Sequence, residues 1–131
     1  MGLQKTAPRG AWIEGKERWL AAMRWRRQIE QLLRPFELTL ARWLVLEATD
    51  EIVREQDEAV TQSAVAARCE LDKMTVSQVM RTLTHQGLVD RAPAFGRPAY
   101  RVLLTPAGKK IAARVRGRLQ ADSPGRPKAA R

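Results

Sequence analysis

Between Glu14 and Leu33 the chain consists mostly of good helix formers, with Trp19, Ala22, Ile29 and Leu33 near one face and Trp25 and Leu32 beside it. Arg24, Arg26, Arg27 and Arg34 crowd the remaining surface, and Pro35 ends the helix because its preceding residue is pushed out of the helical region. The apolar stripe is broad and rich in Trp, which invites a partner helix but is equally compatible with burial inside one subunit. Thr39 is the expected N-cap of a second helix. In that helix Leu40, Trp43, Leu44 and Glu47 share one side, and Val45, Ala48 and Ile52 continue another. The acidic run Asp50 to Glu58 is expected to form the end of this helix and a loop.

Thr61 restarts a helix, Gln62 to Cys69, with Val65, Ala66 and Cys69 inward. Asp72 caps another, Lys73 to Gln86, and Gly87 supplies the left-handed residue that commonly ends a helix. At 100° per residue Val76, Val79, Met80 and Leu83 cluster on one side of it. Met74, Gln78, Arg81 and His85 point the other way, with Thr75 and Ser77 on the flanks. Amide, hydroxyl and guanidinium groups in place of the Glu and Lys of an ordinary solvent face suit a recognition helix, where Arg and Gln pair with purine edges. The plainer reading is a merely polar exposed face.

Two strand-like stretches follow, Leu88 to Ala94 and Ala99 to Leu104, with Phe95, Gly96, Arg97 and Pro98 as the turn. Thr105 then caps a helix that begins at Pro106, carries Ile111, Val115 and Leu119 at helical spacing, and ends near Leu119. The order helix, turn, helix, hairpin is that of a winged helix–turn–helix, so the expected class is mainly α with a small β-hairpin. Residues 1–13 read as a flexible basic arm, 14–120 as the domain, and 121–131 as a disordered basic tail.

Charge sharpens the choice of partner. The 131 residues carry a net charge of +10, but unevenly: +5 over residues 1–35, −5 over 36–71 and +10 over 72–131. A basic C-terminal half beside an acidic middle makes an oriented electrostatic surface, as double-stranded DNA binding requires. No apolar run reaches the roughly 18 residues of a membrane span, so no membrane partner is expected. One Cys and one His leave no zinc ligand set and no disulfide framework. No cofactor and no enzyme activity are expected, and the expected location is the cytoplasm, on the nucleoid.

Thr61-Gln62-Ser63, the run from Leu71 through Leu83, Gly87-Leu88-Val89-Asp90-Arg91 and Leu104-Thr105-Pro106-Ala107-Gly108, taken in this order, resemble the MarR family of bacterial transcriptional regulators. The resemblance extends from about Leu38 to Gly108. It implies a homodimer joined by its first and last helices, recognition helices in successive major grooves, and wings beside them. It also implies repression of transcription, relieved in many members by a small aromatic or phenolic ligand between the dimer helices and the DNA-binding lobe.

Four departures from the family pattern stand out. Gly96 and Pro98 flank Arg97 where the wing usually carries Asp-x-Arg, and Glu70 stands where a Gly commonly sits. The stretch from Leu46 to Thr61 is about five residues longer than usual, read as an acidic loop insertion. The sequence ends soon after the first C-terminal helix, which throws dimerisation onto residues 14–33 with help from 109–119.

The residues expected at DNA are therefore Gln62, Ser63, Lys73, Thr75, Ser77, Gln78, Arg81 and Arg97, with Trp19 and Trp43 as candidates to line a ligand pocket. For the two Trp residues ordinary core and dimer packing is the competing reading. Two alternative functions share the same lobe: a PadR- or ArsR-like DNA-binding regulator, and a winged-helix protein-interaction module using the Trp-bearing first helix.

Overall fold

Pro35 and the left-handed residues Glu37, Glu70 and Gly87 set the main joints among the described residues. The computed structural model describes residues 9–56, 60–93 and 100–122. Helix α1 spans Arg9–Leu33, followed by a single 3-10 turn, Arg34–Phe36. Glu37, at φ 58°, closes that turn with its amide on the Arg34 carbonyl. Helix α2 follows, Leu40–Glu55, then β1, Val60–Thr61, α3, Gln62–Cys69, and α4, Lys73–His85. Strands β2, Val89–Pro93, and β3, Tyr100–Leu104, lead into α5, Pro106–Asp122. The chain is thus mainly helical with one small antiparallel sheet, in the order β1-β3-β2. Val60 faces Val102 across one pair, and Val89 and Leu104 face each other across the other.

The core lies where α2, α3, α4 and the sheet converge. Leu33, Val45, Leu46, Val65, Val76, Met80, Leu83, Val89, Val102 and Val115 are completely buried there. Helix α1 reaches this core only through its last turns, at Ile29 and Leu33; residues 9–22 are exposed throughout. No helix among the described residues is long and apolar enough to cross a membrane.

Several boundaries differ from the sequence reading. Helix α1 begins at Arg9 rather than Glu14, so residues 9–13 are helical and not a flexible arm; a Gly weakens a helix by only about 1 kcal/mol, which its neighbours absorb at Gly10 and Gly15. Residues 1–8 lie outside the described residues. The acidic run continues the helix as far as Glu55, with Gln56 as its C-cap, and residues 57–59 of the expected loop lie outside the described residues. Its charges are met by partners distant in sequence. Asp50, only 8% exposed, accepts from Arg116 of α5 at 2.6 Å, while Glu55 and Glu51 pair with Arg68 of α3 at 2.7 and 3.5 Å. Strand β1 was not expected, because two residues carry no readable alternation. Helix α5 continues three residues past Leu119, and residues 123–131 of the expected tail lie outside the described residues.

The motif at the start of α5 acts as a latch. Thr105 Oγ1 donates to the Gly87 carbonyl at 2.7 Å and accepts from the Gly108 amide at 2.9 Å. A Cβ on Gly108 would collide with the Leu88 carbonyl, so only glycine lets α5 approach the strand this closely. The turn after α4, the sheet and α5 are held as one unit.

Candidate nucleic-acid interface

Two capped helices and a tight turn form the centre of the candidate site. Thr61 accepts from the Ala64 amide at 3.1 Å and starts α3. Glu70, at φ 55° and ψ 38°, ends it, with the Leu71 amide returning to the Ala66 carbonyl at 3.1 Å. Such a left-handed residue is the usual way to end a helix sharply. Asp72 then caps α4 through both carboxylate oxygens: Oδ1 accepts from the Thr75 amide at 2.7 Å and Oδ2 from the Thr75 hydroxyl at 2.8 Å. These bonds, the amide first, hold its carboxyl below the ordinary value of 3.8. At the other end Gly87, at φ 76°, lets the Leu88 amide reach the Leu83 carbonyl at 3.0 Å.

Between those caps α4 has two opposite faces. Val76, Met80 and Leu83 are buried, whereas Lys73, Met74, Gln78, Arg81 and His85 are exposed. Ser77 is half-buried on the flank, and the Thr75 hydroxyl proton is committed to Asp72. On α3, Ser63 is exposed, while Gln62 Oε1 accepts from Arg91 of β2 at 2.9 Å, fastening the front of α3 to the wing strand. Arg101 is exposed on β3, and Arg97 lies outside the described residues. Of the expected residues, then, Lys73, Gln78 and Arg81 share the open face of α4. Ser77 borders it, Ser63 is exposed on α3, and Gln62 and Thr75 serve in part as local fasteners.

Trp19 and Trp43 do not come together. Trp43 is 3% exposed within the core, and Trp19 is 60% exposed on the free part of α1. A different cleft, of about 300 Å³, opens where α1 ends, α2 begins and α4 ends, lined by Glu30, Arg34, Glu37, Thr39, Arg42 and Gln86. Glu30 Oε2 accepts from the Leu40 amide at 3.1 Å, adding a second cap to α2 beside Thr39. Gln86 Nε2 donates to the Glu37 carbonyl at 2.7 Å, leaving its buried Oε1 without a protein partner. The sequence carried a signal for Thr39 as a cap, but none that joins Glu30 to Gln86.

The thiol of Cys69 donates to the Leu44 carbonyl at 3.3 Å, and burial, with Glu47 next, pushes its pKa up. It is a packing residue with little thiolate character.

A helix, a short turn, a second helix with an open polar face, and a β-hairpin latched behind it define a winged helix–turn–helix protein. The IclR helix-turn-helix domain matches residues 51–93, the end of α2 through β2, about a third of the chain. The uncharacterized HTH-type transcriptional regulator YdcH of Bacillus subtilis is 30% identical over 97 residues, and that match spans 72% of this chain and 65% of YdcH. A transcriptional regulator of the MarR family from Rhodococcus sp. RHA1 superposes with a TM-score of 0.71 at 24% identity, over 87% of this chain and 77% of that one. A cysteine-to-serine mutant of MarR from E. coli, crystallised with operator DNA, gives 0.71 at 19% identity, over 82% and 74%. The fold of the described residues is therefore that of the MarR-type winged helix, over more of the chain than the helix-turn-helix match reaches.

Proposed function

We propose that this chain is a DNA-binding transcriptional regulator of the MarR family, a homodimer that represses transcription and is released from double-stranded DNA by a small ligand. The observation that carries this reading is the open face of α4, where Lys73, Gln78 and Arg81 stand opposite the buried Val76, Met80 and Leu83. A capped helix presenting amide and guanidinium groups away from its own core suits the major groove. Ser63 and Ser77 are assigned to the flanks, and Arg97, outside the described residues, to the phosphates. The similar proteins named above point the same way, one described as a transcriptional regulator and another crystallised with operator DNA.

The homodimer is supported by α1, whose Trp12, Ile13, Trp19, Leu20 and Trp25 are all exposed. Apolar surface of that extent on one helix calls for a cover. A second copy related by a two-fold axis would also set two α4 helices on one face of the DNA. The ligand is assigned to the cleft between Glu30 and Gln86, which touches both the base of α1 and the end of α4; Arg34 and Arg42 suit an acidic or phenolic group. In this reading the protein has no catalytic role and works in the cytoplasm. The exposed Trp face also favours a second reading, a module that binds another protein through α1.

The two readings separate in a mobility-shift titration of the full chain against duplexes enriched from a randomised pool, repeated at several salt concentrations. The regulator is expected to enrich a two-fold related sequence and to bind it with an affinity that falls linearly on logarithmic axes as salt rises. Absence of any shift at micromolar protein contradicts the regulator and leaves the interaction module.

A further inference from the structure

The open face of α4 carries one large apolar side chain among polar ones. Met74 is 72% exposed, more than Trp12 on α1 at 67%. It sits in the first turn, two residues after the Asp72 cap, on the same line along the helix as Gln78, Arg81 and His85. The core gains nothing from it, since Val76, Met80 and Leu83 fill the opposite side. A residue at this point of a helix seated in the major groove is among the first to reach the base edges. The one apolar group displayed there is the 5-methyl of thymine. An unbranched thioether with three rotatable bonds adapts readily to such a contact.

We propose that Met74 is a specificity-determining residue, packing its thioether side chain on a thymine methyl group in the major groove. The proposal rests on the DNA-binding reading of α4 and adds a base preference that Gln78 and Arg81, as hydrogen-bonding groups, do not supply. Their partners are purine edges; Met74 selects an A·T pair by shape and dryness alone.

The test replaces thymines of the enriched duplex one at a time by deoxyuridine, which keeps the base pairing and lacks the methyl. Binding of full-length wild type, Met74→Ala and Met74→Leu is read by fluorescence anisotropy at low salt. At one thymine in each recognised half, deoxyuridine is expected to weaken wild type about fourfold, the worth of one buried methyl group. The same replacement leaves Met74→Ala unaffected, and Met74→Leu retains most of the dependence. If no thymine matters to wild type, or if Met74→Ala loses as much as wild type at the same position, the proposal is overturned while DNA binding stands. If wild type enriches no sequence, the DNA-binding reading fails and this proposal with it. The deoxyuridine scan uses the unaltered protein, so its outcome does not depend on how the variants fold.

Discussion

Glu70 shows what a single backbone angle demands. It ends α3 at φ 55°, where a Cβ costs roughly 1–2 kcal/mol and glycine almost nothing. Glu70→Gly is expected to stabilise the fold by about 0.5–1 kcal/mol, the relief less the extra chain entropy that glycine loses. Urea unfolding of both forms measures it; a loss of stability would mean that the Glu70 side chain contributes more than the strain costs. The sequence made this position visible, since a Gly is usual there in the family pattern. It did not distinguish Trp19 from Trp43. Helical spacing shows which residues share a face, but not whether that face meets the core, and so one Trp is buried while the other stands in solvent. Thr75 likewise reads as a free hydroxyl in the sequence, but its proton is donated to the Asp72 cap.

Among the elements, α2 departs most from its sequence reading. The acidic run from Asp50 reads only as a helix end and a loop, because the partners of Asp50, Glu51 and Glu55, namely Arg116 and Arg68, are distant in sequence and meet them only once α3 and α5 are packed. Both pairings fasten α2: one to the front of the helix–turn–helix, the other to the last helix. Glu47 lies in the same neighbourhood without such a bond. Burial, and next the charge of Glu51, raise its pKa above the ordinary 4.5. A carboxyl whose pKa is higher in the folded state favours folding below its unfolded pKa, and that contribution is lost as pH rises through the folded value. Glu47→Gln is therefore expected to raise the melting temperature at pH 7, with the gain shrinking towards nothing below about pH 4. A gain that is equal at both pH values would point to packing instead of charge. Helices α3 and α4, their caps and the two hairpin strands were legible because each has its own local pattern: Thr61, Asp72 and Gly87 at the joints, and a periodic apolar face between them. Strand β1 was not, because its place is fixed by pairing with β3 and not by its own two residues.

At the scale of the whole molecule the chain divides its work. A buried apolar core holds α2, α3, α4 and the sheet together, the Thr105–Gly108 latch ties α5 to the sheet, and α1 extends from this body with its apolar side chains uncovered. The proposed regulator uses the first part to present α4 and the last to place a second copy beside it. The cleft between Glu30 and Gln86 lies where the two parts meet, so a ligand there would bear on both. The central claim is that α4 reads bases with its open face, and one comparison tests it most directly: the affinity of wild type and Arg81→Ala for the enriched duplex and for a scrambled duplex of the same length and salt. Loss of about 1–3 kcal/mol on the enriched duplex with little change on the scrambled one is the expected result. Equal losses on both duplexes would place Arg81 on phosphate only and contradict base reading by this face.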